Sequence, residues 1–253
     1  MAASPWFLLR AVAPLRLMPQ PTVCLLPGLL CDGAVWADQR RAFSPFAEVH
    51  IPDFWGQDSF EDMARKALDE TSGPLAVAGH SMGGRVALEM WRLAPGRIAR
   101  LGLLDTGFRG PRPEERAGRM ALVELAYEKG MAALAARWLP PMVHPDRVTD
   151  ASLMEPLTAM VCRATPQIFE GQQRAGLQRP DASGYLPLIA CPTLILCGRQ
   201  DGWSPVPQHE EMARAIPGAQ LRLIEDCGHM ATVERPDEVT AALQAWLAGD
   251  SSA

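Results

Sequence analysis

Ser81, Asp201 and His229 are the residues whose types and neighbours fit nucleophilic catalysis. Serine alone is a poor nucleophile. It needs a base to take its proton and an acid to orient that base. Ser81 lies in Val77-Ala78-Gly79-His80-Ser81-Met82-Gly83-Gly84, where Gly79, Ser81 and Gly83 spell G-x-S-x-G. Between an apolar strand and a helix, that pattern puts the serine on a sharp, strained turn with its hydroxyl raised above a sheet. A side chain two residues before or after the serine would strike the neighbouring strand or helix. The helix that follows points its positive end at the serine, which favours developing negative charge.

The candidates for the base are His50, His80, His144, His209 and His229. His229 follows the last apolar run within Glu225-Asp226-Cys227-Gly228-His229-Met230, so it emerges at the same sheet edge as the serine. His80 adjoins Ser81, but the turn directs it elsewhere. His50 ends a weak strand, His144 falls in a helical region, and His209 suits an exposed helix face. The expected orienting acid is Asp201, just past the run 193–197, which gives the chain order Ser, Asp, His. Asp105, after the run 100–104, is its rival. The oxyanion donors are expected to be the backbone N–H groups of Leu29 and Met82, with Leu30 as the fallback.

These residues need a scaffold. Short apolar runs at 22–26, 47–51, 75–78, 100–104, 193–197 and 220–224 read as strands. Their near-continuous apolarity indicates a sheet covered on both faces. Helical patterns at 34–43, 59–70, 82–93, 205–216 and 236–247 alternate with them, which predicts a mainly parallel α/β sheet of about six to seven strands. Ser59 with Asp62 reads as a capping signal, and Pro236 suits a first helical position. Residues 107–186 carry no good strand. Helical stretches at 114–139, 150–164 and 166–178 predict a lid inserted into an α/β core of 21–106 and 187–250. Residues 1–20 read as a tail, with Met18 as a candidate alternative start.

The chain has 253 residues, 48% of them apolar, enough for one sizeable core. A net charge of -5 gives no basic footprint, so nucleic acid is not an expected partner. No apolar run approaches the roughly 18 residues of a membrane span, and no membrane partner is expected. The six cysteines form no CxxC pair and read as reduced, mostly buried thiols of a cytoplasmic protein that is a monomer or homodimer. No metal or organic cofactor is expected.

In order, LLPGLL, AGHSMGG, LILCGRQD and CGHMATVERP resemble the α/β-hydrolase superfamily over roughly residues 22 to 248. Pro27-Gly28 stands where His-Gly is common in that family. Within it, the chain is similar to small helical-lid enzymes: carboxylesterases, enol-lactonases and the menaquinone-pathway synthase, a lyase with the same triad. The resemblance implies a serine hydrolase acting on a small carboxylic ester or lactone. A non-hydrolytic lyase and a ligand receptor on the same fold are the alternatives. In the synthase an arginine after SMGG binds a substrate carboxylate, which makes Arg85 a candidate substrate contact. A surface or lid-pairing role on its helix is the other reading. His80 stands where that synthase has a tyrosine, and Met230 where carbon–carbon hydrolases often have tryptophan. Trp203 and Trp36 fall near the site loops, as pocket lining or as packing residues.

Overall fold

Strands buried on both faces must be apolar at successive positions, and the core strands meet that demand. The strands are β1 (Thr22–Leu26), β2 (Val49–His50), β3 (Leu75–His80), β4 (Ile98–Leu104), β5 (Thr193–Gly198) and β6 (Gln220–Ile224). A computed structural model describes residues 21–249; the tail expected at 1–20 lies outside them. The strands form one six-stranded sheet, all parallel, in the order β2-β1-β3-β4-β5-β6. Every residue of β3 and β5 is buried. β2 is shorter than the run 47–51 suggested: it pairs only with β1, both residues are half-exposed, and Pro52 follows it without an N–H to continue the ladder. β3 runs further than expected, pairing Gly79 with Leu26 on one side and Leu103 on the other.

Alternate residues of a strand face opposite sides, and the two apolar clusters follow that rule. Val23, Leu25, Ala76 and Ala78 join one cluster, while Cys24, Leu26, Leu75 and Val77 join the other. Helices α1 (Ala37–Phe43) and α9 (Pro236–Ala248) cover the first side through Phe43, Val239 and Leu243. Helices α2 (Phe60–Asp69), α3 (Met82–Leu93) and α7 (Val206–Ala215) cover the second through Met63, Val86 and Met212. The expected helix at 34–43 opens as a 3-10 turn over Gly33–Trp36 before α1, because the Asp32 side chain accepts the Ala34 N–H there. The four-residue α8 (Ala231–Glu234) precedes α9. No helix among the described residues is long and apolar enough to cross a membrane.

Between β4 and β5 the chain makes α4 (Glu115–Trp138), α5 (Ala151–Arg163) and α6 (Pro166–Leu177). α4 is broken at Gly130, whose φ of 81 and ψ of 171 are not helical. Leu134, Leu139, Met160 and Phe169 of this insertion belong to the same cluster as Val23 and Leu25, so its core is continuous with one face of the sheet. Its two stems are bonded together. Ala182 N–H donates to the Phe108 carbonyl at 2.8 Å, and Gly110 N–H to Asp181 Oδ2 at 3.2 Å. Arg179 donates to the Gly110 carbonyl at 3.2 Å and pairs with Glu115 at 2.7 Å.

Ser59 caps α2 by accepting the Asp62 N–H at 3.1 Å. Ser59→Ala removes that acceptor and is expected to lower stability by about 1 kcal/mol, read from the urea midpoint at unchanged m-value.

Candidate active site

Ser81 has φ 54 and ψ -114, a backbone conformation that L-residues rarely adopt. The glycines around it are explained by close backbone contacts. A Cβ on Gly79 would lie 2.2 Å from the Gly83 carbonyl oxygen, and one on Gly83 would lie 2.1 Å from the Leu26 carbonyl oxygen. β3, α3 and the end of β1 therefore meet with no room for a methyl group. The turn is held by its backbone: Ser81 N–H donates to the Leu104 carbonyl at 2.9 Å, and its own carbonyl accepts Gly84 N–H at 3.0 Å.

His229 Nδ1 lies 2.8 Å from Asp201 Oδ2, and its Nε2 lies 2.8 Å from Ser81 Oγ. A carboxylate accepts, so Nδ1 carries the hydrogen and Nε2 is the acceptor for the serine hydroxyl. Asp201 Oδ1 accepts the N–H groups of Trp203 and Ser204, each at 2.8 Å. Burial disfavours the Asp201 charge, but the His229 ring and these donors outweigh it and hold the carboxyl below its ordinary range.

The rival acid, Asp105, does not meet His229 Nδ1. It faces His80, 3.9 Å from Nε2, and its Oδ1 accepts Gly198 N–H at 2.8 Å. Burial, reinforced by the nearby Asp201 charge, pushes its pKa well above the ordinary range and favours its protonated form. His80 points away from the serine as the turn requires, and its Nε2–H donates to the His229 carbonyl at 2.7 Å. Burial, then the nearby His229, lowers its pKa to about 3. Asp105, Cys197 and Asp201 bring three ligand atoms within 4.8 Å of one another. They suit a cation poorly: both Asp201 oxygens are engaged, and burial holds Asp105 and Cys197 in their neutral forms.

Several supporting residues escaped the sequence reading. Thr106 Oγ1 donates to the Ser81 carbonyl at 2.7 Å, and its side chain fills the space left by Gly84, where a Cβ would come within 2.5 Å of Thr106. Thr106 N–H in turn donates to His209 Nε2 at 3.0 Å. His209 is wholly buried, not on an exposed face; burial lowers its pKa to about 4, although the Pro205 carbonyl opposes that shift. Glu234 accepts Gly228 N–H at 3.0 Å and Met230 N–H at 3.2 Å, bracketing His229, and also His144 N–H at 2.7 Å. The Met142 carbonyl accepts His229 N–H at 2.8 Å. Apart from the Glu234 bonds to Gly228 and Met230, these contacts join residues far apart in the chain, and no local pattern announces them.

Among the described residues, the N–H groups of Leu29 and Met82 have no hydrogen-bond acceptor. Leu30 does not fit its expected roles: its N–H donates to Gln172 Oε1 at 2.8 Å, and its side chain is fully buried. Arg85 is bound into a stem of the insertion, where Nη1 donates to the Arg109 carbonyl at 2.7 Å. This is the lid-pairing alternative. Trp203 is 45% exposed, with its ring centroid 6.5 Å from that of His229, whereas Trp36 is fully buried packing. Two clefts flank the insertion. One of about 270 Å³ lies between residues 56–58 and α6, and an apolar one of about 130 Å³ is lined by Val35, Leu157, Met160 and Val233. Neither is lined by Ser81, Asp201 or His229.

Comparison with known proteins gives concordant matches. Residues 25–242 match the alpha/beta hydrolase family. The chain is 26% identical over 243 residues to a pimeloyl-[acyl-carrier protein] methyl ester esterase of Photobacterium profundum, covering 88% of this chain and 93% of that protein. It is also 26% identical over 253 residues to a 2-hydroxy-6-oxononadienedioate/2-hydroxy-6-oxononatrienedioate hydrolase of Klebsiella pneumoniae, covering 90% and 87%. Among solved structures, a thermophilic esterase from Thermogutta terrifontis superimposes with a TM-score of 0.83 at 29% identity, covering 92% of each chain.

Two outcomes are expected from the supporting residues. Thr106→Val removes the hydroxyl that steadies the Ser81 carbonyl. It should cost about 1 kcal/mol of stability, while Thr106→Ser keeps the bond; urea denaturation of both variants checks this. His209 has a folded-state pKa of about 4 against an ordinary 6.5, so on acidification the unfolded chain takes up this proton first. Its contribution to stability is therefore full above pH 6.5 and lost as the pH falls towards 4. His209→Gln, which keeps an acceptor for Thr106 N–H, should remove one proton's worth of slope from the stability profile over that window. Unfolding curves taken across it for both proteins test the point.

Proposed function

The chain belongs to the alpha/beta hydrolase family, and from that premise we propose that it hydrolyses a small carboxylic ester or lactone through an acyl-enzyme on Ser81. The observation that carries this reading is the unbroken relay from Ser81 Oγ through His229 to Asp201, 2.8 Å at each step, on a serine of strained backbone. A buried relay with these tautomers suits proton transfer from a hydroxyl better than any structural purpose.

Ser81 Oγ attacks the carbonyl carbon as His229 Nε2 takes its proton. Asp201 steadies the imidazolium that results. The N–H groups of Leu29 and Met82 serve the oxyanion, and the start of α3 adds its positive end. The tetrahedral intermediate expels the alkoxide, which receives the proton from Nε2; in a lactone that alcohol stays attached to the acyl group. Water then gives a proton to Nε2 and attacks the acyl carbon. Collapse releases the acid and returns the proton to Ser81. The insertion at 107–186 acts as the lid, and Trp203, exposed beside His229, is suited to line the leaving-group side. Arg85 is the residue that would favour a lyase acting on a carboxylated substrate, and its bond to the Arg109 carbonyl supports the lid-pairing role over that one.

Ser81→Ala should lower kcat/KM for p-nitrophenyl acetate and butyrate by at least about a thousandfold without loss of folding. A fluorophosphonate should add its mass to Ser81 of the wild type and leave the variant unmodified. Equal release of nitrophenol by both proteins would end the esterase reading.

A further inference from the structure

The turn after β1 is in a conformation its own residues do not favour. Cys31 N–H donates to the Gly28 carbonyl at 3.1 Å, so Leu29 and Leu30 are the central residues of a four-residue turn. Leu30 has a φ of 59. A positive φ at the third position belongs to a turn type that takes glycine there, and leucine prefers the form in which the Leu29–Leu30 peptide is rotated by about half a revolution. In that rotated form the Leu30 N–H and the Leu29 carbonyl exchange directions.

Two side chains oppose that rotation. The Cys31 thiol donates only a weak bond to the Leu29 carbonyl, at 3.5 Å. Gln172 of α6 is fully buried, and its Oε1 accepts the Leu30 N–H at 2.8 Å across 142 residues of sequence. The amide's orientation is set by chemistry. Leu30 offers a donor, so the atom facing it is the oxygen, and Nε2 is left buried without an acceptor. An unpaired buried amide nitrogen is unfavourable, and an apolar side chain would avoid it. Gln172 is thus ill suited to plain packing and well suited to holding Leu30 N–H. Were the peptide to rotate, the Leu29 carbonyl would face Oε1, and Gln172 would have to turn its amide to keep a bond.

We propose that Gln172 is a positioning residue through which the helical insertion sets the oxyanion turn, holding the Leu29–Leu30 peptide so that Leu29 N–H serves the reacting carbonyl. The role of Leu29 rests on the hydrolase reading above; the tether between Gln172 and the turn does not. With the tether cut, Leu30 can relax to negative φ; Leu29 N–H belongs to the adjoining Gly28–Leu29 peptide, and it shifts as the turn readjusts. Small displacements of such a group cost up to about a hundredfold in rate.

The test compares wild type, Gln172→Met and Gln172→Glu. Methionine fills similar volume without an acceptor, whereas glutamate in its buried, neutral form keeps a carbonyl oxygen for Leu30. Two readouts are needed: kcat and KM for p-nitrophenyl acetate, and amide hydrogen exchange of Leu30, followed by NMR. For Gln172→Met we expect kcat to fall at least about tenfold with KM within about twofold, and Leu30 exchange to quicken at least about tenfold. Gln172→Glu should recover most of both at mildly acidic pH. A Gln172→Met variant with wild-type kcat, or with Leu30 exchange as slow as in the wild type, overturns the proposal. So does a loss of rate that glutamate fails to restore in a folded protein. A wild type with no Ser81-dependent turnover defeats the hydrolase reading instead, and Leu30 exchange still decides whether Gln172 holds the turn.

Discussion

The backbone of Ser81 is the constraint from which much of this architecture follows. A residue at φ 54 and ψ -114 between β3 and α3 costs on the order of 1 to 3 kcal/mol, which must be offset nearby. The offset is visible in several layers. β3 is paired on both sides up to Gly79, the Ser81 carbonyl receives Thr106 Oγ1 and Gly84 N–H, and His209 fixes Thr106 from behind. The close approach of β1 to α3 excludes a Cβ at Gly83, and that of α3 to β3 excludes one at Gly79. Strain recurs along the same edge. Leu30, Ser81, Asp105 and Asp226 all have positive φ, and each follows the carboxyl end of β1, β3, β4 or β6. In parallel α/β sheets that edge is where ligands bind, and here it is also where unfavourable backbone collects.

Electrostatics decides which of two buried aspartates serves the histidine. Asp105 and Asp201 are comparably buried, and both stand after central strands. Asp201 accepts two backbone N–H groups as well as His229 Nδ1, so its charge is well compensated. Asp105 accepts one backbone N–H at Oδ1 while its Oδ2 has no partner, and the Asp201 charge bears on it. Two adjacent carboxylates cannot both ionise cheaply in a dry interior, and the one with more donors keeps the charge. His80 completes the arrangement in its neutral form, with its single hydrogen committed to the His229 carbonyl. Of these two aspartates, Asp201 is the one that favours its charged form, and it faces the ring that gains positive charge during the proposed reaction.

What the sequence revealed divides along a physical line. β1, β6 and α3 have the same ends in the structure as in their apolar patterns, because local periodicity and glycine punctuation determine them. The Gly79 and Gly83 contacts and the grouping of Ser81, His229 and Asp201 follow the G-x-S-x-G pattern, chain order and strand ends read from the sequence. β2 was overestimated because an edge strand with one partner needs little apolar residue, and the pattern there was weak. The break at Gly130 passed unnoticed since a single glycine inside a helical pattern is usually tolerated. His209 was misjudged for a different reason. Its surroundings come from the segment at 105–109, more than one element away, which a helical wheel does not display.

The insertion is bonded to each part of the machinery it covers, and this constrains how it can work. The Met142 carbonyl holds His229 N–H, Glu234 joins His144 to the His229 loop, and Gln172 holds the turn after β1. Arg85 and Arg179 meet at the Arg109 carbonyl in its stem. A rigid swing of all three helices would break buried hydrogen bonds to both the base and the oxyanion turn, leaving polar groups unpaired in an apolar core. Under the proposed hydrolase reading the insertion is then a fixed cover rather than a moving one. Trp203, beside His229 and outside the insertion, is partly exposed.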